Sequence, residues 1–254
     1  MKGIDISNYQ GVINFAKVKA SGVEIVYIKA TEGLTVDNIL FEAQYDGAKK
    51  AGLKIGVYHY LRDNNPVEEA EHFLSVVTGL PMDCKYAIDC ETTLGQTIAE
   101  VSLNVVKFTD YLVSKGKQVC LYTGVNFYKE SLNSTVKELP LWIACYEAKC
   151  PLTTYAGIQY SDVGVVAGIT SKVDLNTFSD EMLISIPKPV AKPIIKPVIK
   201  PVVVAKPKIN EKVLALQTLL NNQGFTDDKG KKLTEDGITG PCTVQAVGKL
   251  SKSL

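Results

Sequence analysis

The sequence predicts an α/β protein, an abbreviated (β/α) barrel with eight strands and missing helices, plus a small, mainly helical C-terminal domain. Short apolar runs typical of strands recur every 20–30 residues, helical patterns separate only some of them, and a Lys-Pro-rich segment then ends the series. The predicted strands cover residues 3–7, 24–30, 54–61, 85–91, 118–124, 141–146, 156–161 and 172–176. Eight such strands favour a closed parallel barrel.

Helical periodicity is clear over residues 37–51, 66–78 and 97–115, where apolar positions recur every three to four residues. It fades after residue 140, and the later connections are too short for full crossover helices. The barrel segment has 186 residues, whereas barrels of this type usually need about 250. We therefore expect some of the outer helices to be absent.

A Lys-Pro repeat over residues 187–208 divides the chain. Because proline fixes φ and lacks an N–H, this repeat should form an extended, semi-rigid spacer. The predicted domains are 1–186 and 209–254. The first segment carries a net charge of −6, and residues 187–254 carry +7. Such segregation of charge indicates that the two parts have different partners.

Carboxylates stand at the ends of three predicted strands. Side chains alternate along KYAIDCE, so Asp89 and Glu91 share one face near the carboxyl end of their strand, where barrel enzymes carry their active sites. Crowding and lost hydration would raise the pKa of one of them, as a general acid requires. The pair alone is equally consistent with a solvated strand end. Asp5 and Asp174 fall at carboxyl-end positions of the first and last strands, which become neighbours when a barrel closes.

Aromatic side chains share these faces. They are Tyr58 and Tyr60 on the third predicted strand, Tyr122 on the fifth, and Trp142 and Tyr146 on the sixth. Sugars present apolar C–H faces and hydroxyl edges, so aromatic walls beside a few acids are typical of a carbohydrate groove. Any one of these aromatics taken alone favours core packing, and it is the whole set that favours a carbohydrate groove.

The sequence gives little support for other kinds of active site or ligand site. The sequence contains no GxSxG, Walker A, HExxH or GxGxxG arrangement between a strand and a helix. The two histidines are His59 and His72, and alternation turns His59 toward the helices, so neither a metal site nor a cofactor is expected. No apolar run approaches the length of a membrane span. We therefore expect no membrane insertion, and nucleic acid is not among the expected partners.

A series of short motifs runs through the first 180 residues: GIDISNYQG at the start, then YIKATEG (27–33), GVYHY (56–60), AIDCE (87–91), LYTG (121–124), LWIACY (141–146), IQYS (158–161) and VDLN (173–176). In these motifs and in their order, the segment resembles the glycoside hydrolase family 25 lysozymes, the Chalaropsis-type muramidases. The resemblance implies hydrolysis of the β-1,4 bond from N-acetylmuramic acid to N-acetylglucosamine. It implies that Glu91 is the proton donor and that Asp89, Asp5 and Asp174 are its acidic companions.

The same resemblance implies a set of saccharide contacts: Tyr58, Tyr60, Tyr122, Trp142, Gln159, Lys29 and Glu32. It also implies retention of anomeric configuration, which ordinarily needs a second carboxylate as nucleophile. Asp89, Asp174 and the substrate's own N-acetyl group all stay open as the attacking group.

The C-terminal segment resembles a small peptidoglycan-binding module, in VLALQTLLNNQGF (213–225) and EDGITGPCTVQAV (235–247). Cys242 replaces a residue that is often basic there, so the ligand contacts depart from the pattern. The expected partners are peptidoglycan glycan strands and, for the basic tail, anionic wall polymers. An internal translation start at Met182 would also release a free binding module able to associate with full-length chains.

Four biological interpretations follow. The main one is a phage-type endolysin that lyses Gram-positive cells, made in the host cytoplasm because no signal peptide precedes the first strand. A host autolysin would use the same chemistry. A wall-binding lectin without turnover would keep the barrel, and a metal-dependent sugar deacetylase would need a bound ion.

Overall fold

The structure, a computed structural model, describes residues 1–136, 138–185, 211–227, 229–237 and 241–253. These residues belong to two compact units, one within Met1–Val190 and the other within Ala191–Leu254. The predicted spacer, 187–208, lies outside the described residues. No described helix is both long enough and apolar enough to cross a bilayer.

Among the described residues of the larger unit, nine strands form one sheet. They are β1 (Lys2–Ile6), β2 (Ile25–Glu32), β3 (Val36–Asp37), β4 (Lys54–Tyr60), β5 (Tyr86–Asp89), β6 (Val119–Gly124), β7 (Leu141–Ala144), β8 (Gly157–Gly164) and β9 (Val173–Phe178). The order is β1-β9-β8-β7-β6-β5-β4-β2-β3, and an additional β1–β2 pairing closes the barrel. All eight predicted strands are confirmed, and β3 is a short addition on the outer edge of β2.

The prediction of an all-parallel barrel is wrong for the last strand. The barrel pairings from β1 through β8 are parallel, but β9 runs antiparallel to both β8 and β1. Only residues 165–172 connect β8 to β9, and a parallel return needs a crossover of a dozen or more residues. Asp174 therefore lies near the amino end of β9, which the reversal brings to the carboxyl ends of the other strands.

In the part of the larger unit that the structure describes, the outer layer contains five α-helices: α1 (Phe15–Ala20), α2 (Phe41–Lys50), α3 (Pro66–Val77), α4 (Ile98–Ser114) and α5 (Val125–Glu130). The helix predicted from residue 37 begins at Phe41, because Val36–Asp37 pairs with β2 as a strand. No helix occurs over residues 145–156 or 165–172, both of which the structure describes. The abbreviated barrel is therefore confirmed.

Large aromatic side chains fill the lower part of the barrel. Tyr27 and Trp142 are almost fully buried there with their ring centroids 4.7 Å apart, and Phe178 packs against both. Tyr27 needs a glycine beside it, because a Cβ at Gly56 would overlap its ring. Because these apolar rings fill the lower part of the barrel, the polar side chains that point inward from the strands lie at its upper end.

The smaller unit contains α6 (Glu211–Asn222) and α7 (Pro241–Ser253). A small core forms around Leu220, Leu233 and Ala246. Its described part is therefore mainly helical.

Candidate active site

A cavity of about 320 Å³ opens at the carboxyl ends of the parallel strands. Its lining residues are Asp5, Ile6, Ser7, Tyr9, Gln10, Lys29, Tyr58, Tyr60, Asp89, Glu91, Tyr122, Trp142, Tyr146, Gln159 and Asp174. Of the predicted site residues, only Glu32 is missing from this lining. The β1–α1 loop adds Ser7, Tyr9 and Gln10, which the sequence reasoning missed because it considered only strand ends.

Barrel closure brings the acids of the first and last strands together. Asp5 and Asp174 are directly paired in the β1–β9 register. Asp5 is buried and Asp174 is half-buried. The predicted meeting of these two side chains is therefore confirmed, although β9 arrives from the opposite direction.

Two amide groups hold the Asp5 carboxylate. Asn176 Nδ2 donates a hydrogen bond to Asp5 Oδ2 at 2.7 Å, and Gln159 Nε2 donates to the same oxygen at 3.0 Å. Trp142 Nε1 donates to Asn176 Oδ1 at 2.8 Å and so fixes the amide. Asn176 was not among the predicted site residues, although alternation along β9 places it on the same face as Asp174.

Gln159 and Trp142 line the cavity, but their polar groups mainly hold neighbouring side chains in place. Gln159 is 2% exposed, and its Oε1 accepts hydrogen bonds from the phenols of Tyr122 at 2.9 Å and Tyr146 at 2.6 Å. Trp142 is 1% exposed. Their polar groups are occupied by neighbouring side chains, whereas Tyr146 is exposed at the rim.

Asp89 and Glu91 occupy different environments. Asp89 ends β5, is 6% exposed, and its Oδ1 has no hydrogen-bond partner among the described residues. Glu91 lies two residues beyond, exposed at the mouth. One carboxyl is thus sequestered in the cavity and the other can reach a bound molecule.

Glu32 belongs to an ionic group beside the cavity. Lys29 Nζ donates to Glu32 Oε2 at 2.6 Å, and Arg62 Nε donates to Glu32 Oε1 at 2.9 Å. Both cations lie against the ring of Tyr60, at 5.1 and 4.8 Å from its centroid. Although burial opposes the shift, these hydrogen bonds lower the pKa of Glu32. Glu32 therefore holds Lys29 in place from beside the cavity and does not itself line the cavity.

Comparison with known families gives a match to the model described as glycosyl hydrolases family 25, over residues 4–169. That match covers well over half of the chain. The chain belongs to glycosyl hydrolase family 25. The resemblance inferred from the sequence is thereby confirmed for the barrel, and the cavity described above is the candidate active site of a family 25 domain.

Individual relatives agree with this assignment. The autolytic lysozyme of Clostridium acetobutylicum is 59% identical over 186 residues, which are 72% of this chain and 57% of that protein. The chain thus spans just over half the length of that relative. A bacterial lysozyme from Streptomyces coelicolor has a TM-score of 0.65 at 29% identity, covering 70% of this chain and 91% of its own. The structure of the CTP1L endolysin has a TM-score of 0.62 at 27% sequence identity, and the match covers 71% of this chain and 67% of that chain.

Crowding of acids raises the proton affinity of the family 25 site. Burial raises the pKa of Asp89 well above its ordinary value, the charge of Glu91 adds to this, and Lys29 opposes it. Burial and then the charge of Asp5 raise the pKa of Glu91. Burial and then the charge of Asp5 raise the pKa of Asp174 to about 8, and burial also raises the pKa of Asp5, against the opposing hydrogen bonds from Asn176 and Gln159. The site therefore holds protons that isolated carboxyls would lose.

Asp89→Asn should stabilise the family 25 domain at neutral pH. A carboxyl whose folded-state pKa exceeds its unfolded-state pKa destabilises the fold above the unfolded value, so a neutral isostere removes that cost. We expect the Tm at pH 7 to rise by a few degrees and the difference to vanish near pH 4. Thermal unfolding at both pH values measures this.

The matched control is Asp110→Asn, at an exposed aspartate on α4. It should leave the Tm within about one degree at both pH values. A Tm for Asp89→Asn at or below that of the wild type at pH 7 would show that the buried charge is compensated.

Proposed function

We propose that this chain is a lysozyme that hydrolyses the β-1,4 bond between N-acetylmuramic acid and N-acetylglucosamine in peptidoglycan. The observation that carries the proposal is Glu91, a carboxyl of raised pKa exposed at the mouth of a cavity with three further acids. Tyr58, Tyr60 and Tyr146 provide faces against which sugar rings can pack. The two family relatives named lysozymes support the same substrate.

In this mechanism each acid has a separate task. Glu91 transfers its proton to the glycosidic oxygen as the bond breaks, and its exposure lets it reach that oxygen. Ionised Asp5 stabilises positive charge on the oxocarbenium-like transition state. The attacking group is Asp89 in its ionised form or the substrate's N-acetyl group, because Asp174 holds a proton. Water then opens the intermediate and returns a proton to Glu91. Trapping a covalent glycosyl-enzyme would identify a carboxylate nucleophile.

Product analysis tests the reaction. Purified Gram-positive peptidoglycan is digested, reduced with borohydride and analysed by mass spectrometry. We expect muramitol at the new reducing ends. Glucosaminitol instead would overturn the muramidase assignment while leaving a glycosidase, and binding without any new end would indicate the lectin alternative. Loss of acetyl groups that stops on chelation would indicate the deacetylase.

We infer that the biological role is that of an endolysin made in the host cytoplasm and acting on the wall after release. The relative named autolytic lysozyme favours a host autolysin as the second candidate. Immunoblotting through growth and after prophage induction distinguishes the two. An endolysin should appear only after induction, and an autolysin during ordinary growth.

We propose that the C-terminal unit binds the wall, with its basic charge attracting anionic wall polymers. We also propose an internal start at Met182, whose product would associate with full-length chains. In the CTP1L endolysin, a secondary translation product regulates the activity of that protein. Met182→Leu tests the start in this chain, because a fully buried methionine tolerates leucine. A short second band should disappear, and a single band in the wild type would dismiss the idea.

A further inference from the structure

We infer that Asn176 is a positioning residue that keeps Asp5 ionised and thereby fixes the shared proton on Asp174. The inference rests on the lysozyme activity proposed above and assigns a role to a residue outside the predicted set. Three hydrogen bonds carry it: Trp142 to Asn176, Asn176 to Asp5, and Gln159 to the same Asp5 oxygen.

The geometry leaves Asn176 one orientation. Its side chain is fully buried, its Oδ1 accepts from the indole of Trp142, and its Nδ2 therefore faces Asp5. A flipped amide would place an oxygen against a carboxylate and an N–H₂ against an N–H donor. The Trp142 indole thus orients the Asn176 amide so that its N–H₂ group donates to Asp5.

A fixed donor decides which of two paired acids holds the proton. Asp5 Oδ2 accepts two amide hydrogen bonds, and such bonds favour the charged form. Asp174 is paired with Asp5 in the β1–β9 register and accepts no comparable amide hydrogen bond among the described residues, so a proton shared by the two acids is held on Asp174. The arrangement gives one carboxylate and one carboxylic acid side by side, where two identical acids would compete.

Other charged and titratable groups face Asp5 from the surrounding strands. They are Tyr58 on β4, Asp89 and Glu91 at the end of β5, Tyr122 on β6, Tyr146 after β7 and Asp174 on β9, with Lys29 on β2 as the cation nearest to Asp89 and Glu91. The acids among them repel a charge on Asp5, as burial also does. The amide donors of Asn176 and Gln159 oppose that repulsion, so losing one should raise the pKa of Asp5.

The test replaces the Asn176 amide with an apolar side chain of similar shape. Asn176→Leu removes the donor, and we expect the acidic limb of the kcat profile to move up by about one pH unit, with kcat falling about tenfold on that limb and much less at the wild-type optimum. KM should stay within about twofold, because Asn176 lies beneath the surface of the cavity.

Asn38→Leu is the matched control. Asn38 is also buried, and its Nδ2 donates to the Lys29 carbonyl at 2.8 Å and to Gln44 Oε1 at 2.9 Å, outside the acid cluster. It should lower stability without moving the acidic limb. An equal loss of kcat at every pH in Asn176→Leu would overturn the inference and leave Asn176 a purely structural residue.

Two further measurements test the role of Asn176 if the first variant cannot be assayed. If Asn176→Leu does not fold, Trp142→Phe frees the amide and should shift the limb in the same direction by a smaller amount. Carboxyl ¹³C NMR of labelled aspartate reads the titration of Asp5 directly, with Asp5→Asn identifying the signal. An unshifted Asp5 titration in either variant overturns the inference even if the chain does not cleave peptidoglycan, whereas a shifted titration without cleavage overturns only the proposed function.

Discussion

Glu91→Gln should lower kcat for peptidoglycan cleavage by about 10³-fold while leaving wall binding intact. The amide keeps the size of the side chain but has no proton to give to the departing sugar oxygen. Because burial and then the charge of Asp5 raise the pKa of Glu91, replacing it with a neutral amide should not destabilise the barrel. Release of reducing ends from purified walls, fitted for kcat and KM, measures the loss.

The control for this variant is Glu42→Gln, at an exposed acid in the first turn of α2. It should retain full activity. Glu91→Gln with at least a tenth of the wild-type kcat would exclude Glu91 as the proton donor and direct attention to the protonated Asp174.

Glu69→Ala should lower the free energy of unfolding by about 3–5 kcal/mol. Glu69 is fully buried on α3, and its Oε2 lies 2.8 Å from His59 Nε2 and accepts from the Arg62 backbone at 2.9 Å. Its Oε1 accepts from the Asn64 backbone and side chain at 3.2 and 3.1 Å. Removing the carboxylate leaves these buried or half-buried polar groups without their partner. Urea unfolding followed by circular dichroism measures the change.

Glu68→Ala is the adjacent control, since Glu68 is exposed and its carboxylate accepts a hydrogen bond from the Asn65 side chain at the start of the helix. It should cost less than about 1 kcal/mol. Comparable losses in the two variants would mean that helix propensity, and not the buried network, sets the stability here. The network also matters for the site, because the Arg62 that it holds pairs with Glu32.

Regular backbone geometry made much of this fold predictable. Side chains alternate along any strand, so Ala87 and Asp89 face inward while Ile88 packs against the helices, as the sequence indicated. The same rule placed His59 on the helix side, where Glu69 binds it. The spacing of apolar runs predicted the eight strands, and the motifs predicted the family.

The direction of the last strand and the contacts between residues far apart in the sequence could not be predicted in the same way. The direction of β9 followed from an eight-residue connection, which the motif VDLN did not reveal, and an all-parallel barrel was therefore expected. Glu32 matched a saccharide-contact position by motif, yet Arg62, 30 residues later, draws it into an ion pair beside the cavity. Its position depends on a loop that no strand pattern describes.

The amino-acid sequence by itself determined which residues face inward and which strand ends carry acids, because alternation and apolar spacing are local properties of the backbone. Only the tertiary structure decided that Asn176 and Gln159 hold Asp5, and that Asp174 keeps the proton. Those contacts join β1, β8 and β9 through a register that barrel closure sets, and burial then determines the charge of each acid.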